Sequence, residues 1–403
     1  MPRLSPFTGL LYDRSRAGSL EAVTAPPYDT VDVDQQTRLR AASPYNIVHI
    51  DLPERRADDV RNDNQYTRAA ALLEEWRRDG VLRATAAPAL YPYEMRFRYE
   101  GAQRRIRGLI CQVDVEPWGG AILPHEETLP GPVEDRLRLV RELHLNLSPV
   151  YALASDVDGA VPAFLNAQTA SAPHASVVDE AGVEHRLWVS DVPSDPLVVG
   201  TLMIADGHHR YAMALRYRDE MRASRGPGPW DALMMLVVDA ATEQPPVLPI
   251  HRLSPSTAGI HGERVRGLEE VLAAVDDEAL TYGVITSADG AIVHEVARAS
   301  GRPPTVCAIT EQVEALREPS VLRFTPDAVA AEEAIRSRSA ATAYLLPSTS
   351  PEAIRSVIDA GGRMPQKSTY FWPKPRTGLV LRPLDRPLDV DGADRSAARA
   401  PDV

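Results

Sequence analysis

The sequence is poor in lysine, in cysteine and in long apolar runs, and each shortage narrows the possible functions. Lysine and arginine together number 44, yet only Lys367 and Lys374 are lysines, against 56 acidic residues and a formal net charge of −12. A field of that sign repels nucleic acid and anionic lipid, so any anion site must be a local basic pocket. We therefore expect no nucleic-acid partner.

The low number of cysteines and the lack of long apolar runs predict the cellular compartment of the protein. The two cysteines, Cys111 and Cys307, lie in apolar runs without a partner motif, and we interpret both as buried residues of a protein in a reducing compartment. No apolar run resembles a signal peptide or reaches membrane-spanning length. The sequence therefore predicts a cytoplasmic protein with no membrane partner.

Strand and helix patterns alternate along most of the 403 residues, which predicts a mixed α/β fold. Alternating residues predict hairpins over 91–115, turning at Glu100-Gly101, and over 176–190, turning at Ala181-Gly182. Buried strands are predicted over 230–240 and 342–347. Helical spacing predicts helices over 63–80, 133–145, 262–275 and 327–338.

The run LMIADGHHRYAMALRYRDE, residues 202–220, is the sharpest motif. A short apolar strand ends at Asp206, Gly207 permits a turn, and His208, His209 and Arg210 open a helix. The unpaired N–H groups and positive end of a helix favour anions, and glycine lets a phosphate approach the backbone. The motif predicts a phosphate site, in which Asp206 either holds a metal ion bridging phosphates or caps the helix.

A second cluster is ILPHEETLPGPVEDRLRL, residues 122–139. A histidine beside a carboxylate, as in His125-Glu126, is typical of a general base or a metal ligand, although the spacing is not that of a zinc protease. An ordinary surface loop remains the alternative. Arg136 follows at a helix start, where it is a candidate for binding a substrate carboxylate.

The run VTAPPYDTVD, residues 23–32, contains two prolines that force an extended backbone before Tyr28 and Asp29. An extended backbone aims both side chains rigidly, as a substrate site requires. A turn without any function is the alternative.

Both lysines fall in MPQKSTYFWPKPR, residues 364–376, which we call the lysine segment. A lysine amine is a compact charge that can reach a terminal phosphate oxygen, whereas arginine presents a planar fork. Aromatic residues, of which Tyr370 is one, supply a stacking surface for a nucleobase. The segment predicts a ligand-binding loop with Lys367 and Lys374 as phosphate contacts. The alternative is an aromatic core strand with lysines at its rim.

Taken together, these motifs resemble a bacterial and archaeal family labelled domain of unknown function ten-fifteen. The resemblance covers roughly residues 2–385, and it depends on APPYD (25–29), RGLI (107–110), PHEET (124–128), EDRL (134–137), SPVY (148–151), IADGHHRY (204–211), LPIHRL (248–253) and the run at 364–380. The Asp-Gly-His-His-Arg run also resembles the phosphate motif of the ParB/sulfiredoxin-like superfamily, which includes free serine kinases.

Two branches of that superfamily fit less well. Sulfiredoxins have a catalytic cysteine where this chain has His208, so their chemistry is not expected. ParB proteins follow the motif with a DNA-binding helix-turn-helix, which the sequence does not show. The resemblance implies a ParB/sulfiredoxin-like nucleotide-binding portion over 1–255 and a C-terminal α/β portion over 256–387, which we expect to fold back on the site because the mechanism requires it. The small, polar residues over 388–403 predict a disordered tail.

The implied activity is a small-molecule kinase that uses ATP or ADP with Mg²⁺ to phosphorylate a hydroxyl of serine or a similar metabolite. Alternatives are a non-enzymatic nucleotide-binding switch and a ParB-type nuclease or DNA-associated protein; the oligomeric state is not predicted. For this activity we expect proton acceptance by Glu126, or alternatively Glu127, with support from His125, and we expect Asp206 to bind Mg²⁺ or to orient a donor. The other expected roles are polyphosphate binding by Gly207, His208, His209 and Arg210, charge neutralisation by Lys367, nucleotide contact by Tyr370 and Lys374, and substrate contact by Arg136, Tyr28 and Asp29.

Overall fold

A computed structural model describes residues 1–385 apart from 155–158, 192, 194, 258–259, 261, 314–315 and 317–320. It confirms the mixed α/β class. None of the helices in these residues is long and apolar enough to cross a membrane. The predicted disordered tail lies outside the described residues.

The strands in chain order are β1 (Arg3–Leu4), β2 (Leu10–Tyr12), β3 (Leu82–Ala84), β4 (Tyr91–Tyr99), β5 (Ala102–Asp114), β6 (Ile122–Leu123), β7 (Leu145–Asn146), β8 (Val150–Ala154), β9 (Ala175–Val178), β10 (Glu184–Leu187), β11 (Leu197–Val198), β12 (Leu202–Asp206), β13 (Ala232–Asp239), β14 (Val247–Leu248), β15 (His251–Ser254), β16 (Glu263–Val265), β17 (Thr281–Ala288), β18 (Ala291–Arg298), β19 (Arg323–Thr325), β20 (Thr342–Leu345), β21 (Tyr370–Phe371) and β22 (Arg382–Pro383).

The α-helices in chain order are α1 (Arg14–Ala17), α2 (Leu20–Val23), α3 (Val33–Ala42), α4 (Val48–Asp51), α5 (Gln65–Arg78), α6 (Pro130–Leu143), α7 (Ala160–Gln168), α8 (His208–Arg225), α9 (Leu268–Ala274), α10 (Thr305–Gln312), α11 (Ala328–Arg336) and α12 (Pro351–Asp359).

An eight-stranded sheet with the order β6-β12-β8-β13-β5-β4-β10-β9 forms the larger layer. Its β4–β5 and β9–β10 hairpins turn where the alternating patterns predicted, and Tyr99 pairs with Ala102 beside the first turn. Strands β8 and β13 pair in parallel and are buried along almost their whole length. The sheet therefore places the end of β12, at Asp206, beside the well-packed β8.

A six-stranded sheet with the order β16-β18-β17-β20-β15-β19 forms the second layer. The predicted helix over 262–275 is wrong in its first part, because Glu263–Val265 is an edge strand and the helix begins only at Leu268. Pairing of Glu263 with Val296 in β18 supplies backbone hydrogen bonds that outweigh the local helical pattern. The division predicted at residue 255 stays a prediction; it falls just after β15.

The C-terminal segment pairs with earlier parts of the chain outside the large sheet. Strand β21 pairs with β14, and Met364 forms a bridge with Glu126. Further on, Thr377 bridges to Ala25 near the N-terminus. These pairings bring the lysine segment alongside the loops that contain the other sequence motifs.

Candidate functional site

One cavity collects most of the residues that the motifs predicted. Of the predicted site residues, it is lined by Tyr28, Asp29, Glu126, Asp206, Gly207, His208, His209, Arg210, Lys367, Tyr370 and Lys374. His125 and Arg136 lie behind its walls.

The turn Asp206–Arg210 forms one wall of this cavity. Gly207 has φ +95°, and a Cβ placed there would lie 3.0 Å from the Arg210 Nε, so the turn requires glycine. Gly207 is itself the N-cap of α8 and no side chain caps the helix, so the capping alternative for Asp206 is wrong. Instead, Asp206 Oδ2 accepts a 2.6 Å hydrogen bond from Arg210 Nη2, and Oδ1 pairs with the Lys374 amine.

Arg210 is buried and anchors the turn to the strand beside it. Its Nη1 donates to the Ser148 hydroxyl at 2.8 Å and to the Pro149 carbonyl at 2.7 Å. Its Nε is buried and has no hydrogen-bond partner among the described residues. Because an unpaired buried donor is costly, this N–H is suited to an anionic ligand.

His208 and His209 use their Nε2 atoms to hold the 125–129 loop. His208 accepts from the His125 backbone N–H at 3.3 Å, and His209 accepts from the Leu129 N–H at 3.0 Å. Burial lowers the pKa of both imidazoles, so both are neutral near pH 7. They therefore position the loop through Nε2, and only Nδ1–H remains to donate to a ligand.

Glu126 clamps the lysine segment. Its Oε1 accepts from the Ser368 and Thr369 backbone N–H groups at 3.0 and 2.8 Å and from the Thr369 hydroxyl at 2.9 Å. Its Oε2 accepts from the Lys367 N–H at 3.1 Å. Burial opposes ionisation, but the contacts with His125 and Thr369 hold the pKa of this carboxyl well below its usual range.

Each lysine of the chain is paired with an aspartate in the cavity. Lys367 Nζ lies 3.2 Å from Asp29 Oδ2, and Lys374 lies 4.8 Å from the centre of the Tyr370 ring while it contacts Asp206. Burial opposes the ionisation of Asp29, but Lys367, Arg210 and Lys374 hold its pKa well below the usual range. The positive charges are therefore balanced by carboxylates, and the cavity is not simply basic.

Comparison with known proteins places the chain in a family. Residues 4–313 match the model described as "Protein of unknown function (DUF1015)". The chain belongs to this family. No curated protein matches the sequence significantly.

Several solved structures are similar to this DUF1015 chain at low identity and low TM-score. A free serine kinase in complex with AMP is 12% identical over 65% of this chain and 86% of that chain, with a TM-score of 0.39. A conserved hypothetical protein from Pyrococcus furiosus is 11% identical over 66% and 93%, with a TM-score of 0.37. SbnI from Staphylococcus aureus, with a C-terminal truncation, is 12% identical over 68% and 87%, with a TM-score of 0.37.

Arg136 and His125 do not line the cavity, but each contacts a residue that does. Arg136 donates to the Asp51 carbonyl at 2.8 Å and to Asp135 Oδ2 through Nε at 2.9 Å, and its guanidinium covers the Tyr28 ring at 4.2 Å. Because its donors are used within the protein, the contacts favour positioning of Tyr28 over the predicted binding of a substrate carboxylate. His125 is fully buried, and its Nε2 lies 2.7 Å from the Thr369 hydroxyl.

Sequence reasoning missed two kinds of contributor. Thr30 and Gln366 line the cavity beside predicted residues, but no residue-type pattern marked them. Ser148 and Pro149, which bind Arg210, lie in the SPVY motif that carried the family resemblance, yet nothing in the sequence linked that motif to the turn. Only the pairing of β8 with β12 brings them together.

Proposed function

We propose that this protein is a nucleotide-dependent small-molecule kinase that phosphorylates a hydroxyl of serine or a similar polar metabolite, with ATP or ADP as donor. The observation that carries the proposal is the convergence of the Asp206–Arg210 turn, Glu126 and both lysines on one cavity. Phosphoryl transfer requires mainly positioning and charge neutralisation, and this set supplies donors, cations and a carboxylate.

The polyphosphate lies at the N-terminus of α8 under this proposal. The backbone at Gly207, the unpaired Nε of Arg210 and the His Nδ1–H groups donate to its oxygens. Lys367 is 30% exposed in its side chain and paired only with Asp29 among the described residues, so it can turn to the transferring group. Lys374 remains beside Tyr370 on the nucleoside side.

Glu126 accepts the proton of the substrate hydroxyl. Its Oε2 has one protein hydrogen bond, and a carboxylate oxygen can accept more than one. The four bonds from the lysine segment fix the carboxylate, which aids positioning. His125 supports the arrangement through the Thr369 hydroxyl rather than by contact with substrate.

Magnesium fits this cavity as part of the nucleotide rather than as a resident ion. Among the described residues no three histidine, cysteine or acidic side chains converge on a metal site. Mg²⁺ commonly takes one or two carboxylates together with substrate phosphates, and its chemistry is to neutralise charge on the phosphoryl group. Asp206 keeps acceptor capacity beyond its contacts with Arg210 and Lys374, so it is the residue that would hold the ion.

A phosphorus NMR time course tests the proposal. The protein is mixed with Mg²⁺, each of ATP, ADP and CTP, and L-serine, followed by pooled amino acids and amino alcohols. A new phosphomonoester signal with matching loss of one nucleotide is expected, and it would name the donor. Unchanged spectra with every acceptor would contradict the kinase proposal.

The Glu126→Gln variant tests the assigned base. It should lower turnover by about 100-fold or more, because general-base catalysis contributes about 10²–10⁴-fold. Nucleotide affinity should fall much less, since the glutamine oxygen can still accept from Ser368 and Thr369 and only the contact with the Lys367 N–H is lost. Glu127→Gln is the matched comparison, since Glu127 is an exposed carboxylate lining the same cavity. Full activity in Glu126→Gln with loss in Glu127→Gln would transfer the role to Glu127.

A nucleotide-binding switch is the second candidate, and the ion pairs favour it. Both lysines are already paired with aspartates, so a bound polyphosphate must draw them away and rearrange the lysine segment. Broadened nucleotide signals without a new phosphomonoester would support this function instead.

A further inference from the structure

A groove adjoins the cavity at the outer side of the lysine segment. Thr30, Tyr370 and Lys374 line both spaces, so the groove and the cavity are direct neighbours. Pro26, Pro27 and Trp372 also line the groove. Neither the phosphate site nor the assigned base uses this space.

The walls of the groove are flat and fixed. The Trp372 ring packs edge-on against Phe97 at 4.7 Å between centroids and lies 6.0 Å from Tyr99. Phe97 and Tyr99 belong to the β4–β5 hairpin of the large sheet, and their contacts set the plane of the Trp372 indole. A rigid aromatic face in a groove that prolines also line is suited to a planar ring, because stacking requires little ordering of the protein.

A buried polar network forms the floor. His185 lies within hydrogen-bond distance of both the Tyr93 hydroxyl, at 2.7 Å, and Asp179 Oδ2, at 3.0 Å. The Tyr93 oxygen also accepts from the Arg376 backbone N–H at 3.0 Å. His185 is 1% exposed, so the floor is a built structure and not a surface accident.

The groups that the floor leaves for a ligand are mainly acceptors. Arg376 uses its guanidinium on Thr24 and on Glu180, whose Oε2 lies 3.1 Å from Nη1. The Glu180 side chain remains 54% exposed and keeps acceptor capacity. A ligand that matches this groove therefore presents hydroxyl or amino donors together with a planar ring.

We propose that this groove binds the nucleoside end of the nucleotide, with the base between Trp372 and Pro26-Pro27 and the donor groups of the nucleoside toward Glu180. The phosphates then pass Lys374 into the cavity at the end of α8. The inference rests on the proposed function for the identity of the ligand as a nucleotide, but it requires binding and not phosphoryl transfer.

Calorimetric titration of ADP and of pyrophosphate, each with Mg²⁺, separates the groove from the phosphate site. The wild-type protein should bind ADP more tightly than pyrophosphate. Trp372→Leu should weaken ADP about tenfold or more, because stacking on one aromatic ring contributes about 1–3 kcal/mol per base, and should leave pyrophosphate unchanged. Trp230→Leu, a half-buried tryptophan next to the C-terminal end of α8, is the matched control and should change neither.

Glu180→Gln provides a second variant, because its exposed side chain can be changed without opening a core. It should weaken ADP about threefold to tenfold, because glutamine keeps an acceptor oxygen and loses only the charge that strengthens the hydrogen bond, and it should leave pyrophosphate unchanged. If Trp372→Leu does not fold, the affinities of Glu180→Gln for ADP and pyrophosphate alone test whether the groove binds the nucleoside.

The outcomes separate the two proposals. If the variants lose affinity for ADP alone and the NMR time course of the wild-type protein shows no phosphoryl transfer, the groove proposal is supported and the kinase proposal is rejected. Equal wild-type affinity for ADP and pyrophosphate, or equal losses for both ligands in Trp372→Leu and Glu180→Gln, overturns the nucleoside assignment whatever the activity is. Loss of affinity for an amino-acid acceptor in place of ADP would reassign the groove to the second substrate.

Discussion

The turn Asp206–Arg210 and the lysine segment face each other across the cavity, and they hold their shapes by different means. The turn is continuous with β12 and α8, and Arg210 ties it to Ser148 and Pro149. The lysine segment contains only the two-residue strand β21, and Glu126 organises Lys367, Ser368 and Thr369 from a distant part of the chain. One wall is therefore preset by local structure, and the other depends on tertiary contacts.

This difference suggests how the cavity admits an anion. Each amine of the lysine segment is paired with one aspartate, whereas the Arg210 guanidinium is held by three neighbours, Ser148, Pro149 and Asp206. A ligand that competes for these charges will move the amines before it moves the guanidinium. Under the proposed function, the Asp206–Arg210 turn would define where phosphate lies, and the lysine segment would close on it.

Asp206→Ala should have the largest effect, because Asp206 joins the two walls. Its removal leaves the buried Arg210 and Lys374 without their shared carboxylate, and breaking a buried ion pair in this way costs about 3–5 kcal/mol in the free energy of unfolding. Urea denaturation measures this loss. The control Asp63→Ala removes a 71% exposed partner of Arg68 and should cost less than about 1 kcal/mol. Equal small losses would show that the walls are not joined through Asp206.

Glu126→Ala should affect the lysine segment alone. Three backbone N–H groups lose their acceptor, and an unsatisfied donor costs about 1–3 kcal/mol, partly relieved here by water from the cavity, so we expect about 2–3 kcal/mol in total. Hydrogen exchange should accelerate at the amides of 367–369 and stay unchanged at those of 210–214, inside α8. Uniform acceleration in both regions would contradict the separation of the two walls.

Gly207→Ala should affect the turn alone and by less. A residue with a side chain at φ +95° costs about 1–2 kcal/mol, and the added Cβ also presses on the Arg210 guanidinium at 3.0 Å. Gly159→Ala is the matched control, because Gly159 is also a helix N-cap in the left-handed conformation, with φ +64°, but has nothing within 4 Å of an added Cβ. The melting temperature should fall further for Gly207→Ala than for Gly159→Ala. Equal shifts would mean that the contact with Arg210 is unimportant.

The contrast between the walls also explains which features the sequence could predict. The strand, glycine turn and helix around Asp206 follow from patterns within 20 residues, and the hairpin turns at Gly101 and Gly182 do so as well. Glu126 binds residues that lie 241 to 243 positions further along the chain, and no local sequence pattern indicates such a contact. The sequence therefore predicted this carboxylate as a base but not its structural role. The edge strand at Glu263 was missed for the same reason, because only pairing with β18 defines it.

Lys367→Met should have the smallest effect on stability and a large one on ligand binding. The pair with Asp29 is partly exposed, so its loss should change the free energy of unfolding by less than about 1 kcal/mol. A hydrogen bond to a charged group contributes about 1.5–3 kcal/mol, so affinity for magnesium pyrophosphate should fall about 10- to 100-fold in calorimetric titration. Lys367→Arg keeps the charge but replaces the compact amine with a planar fork, and we expect it to recover only part of the affinity. Full recovery by arginine would remove the physical reason for lysine at this position, whereas unchanged affinity in Lys367→Met would place the anion against the Asp206–Arg210 turn alone.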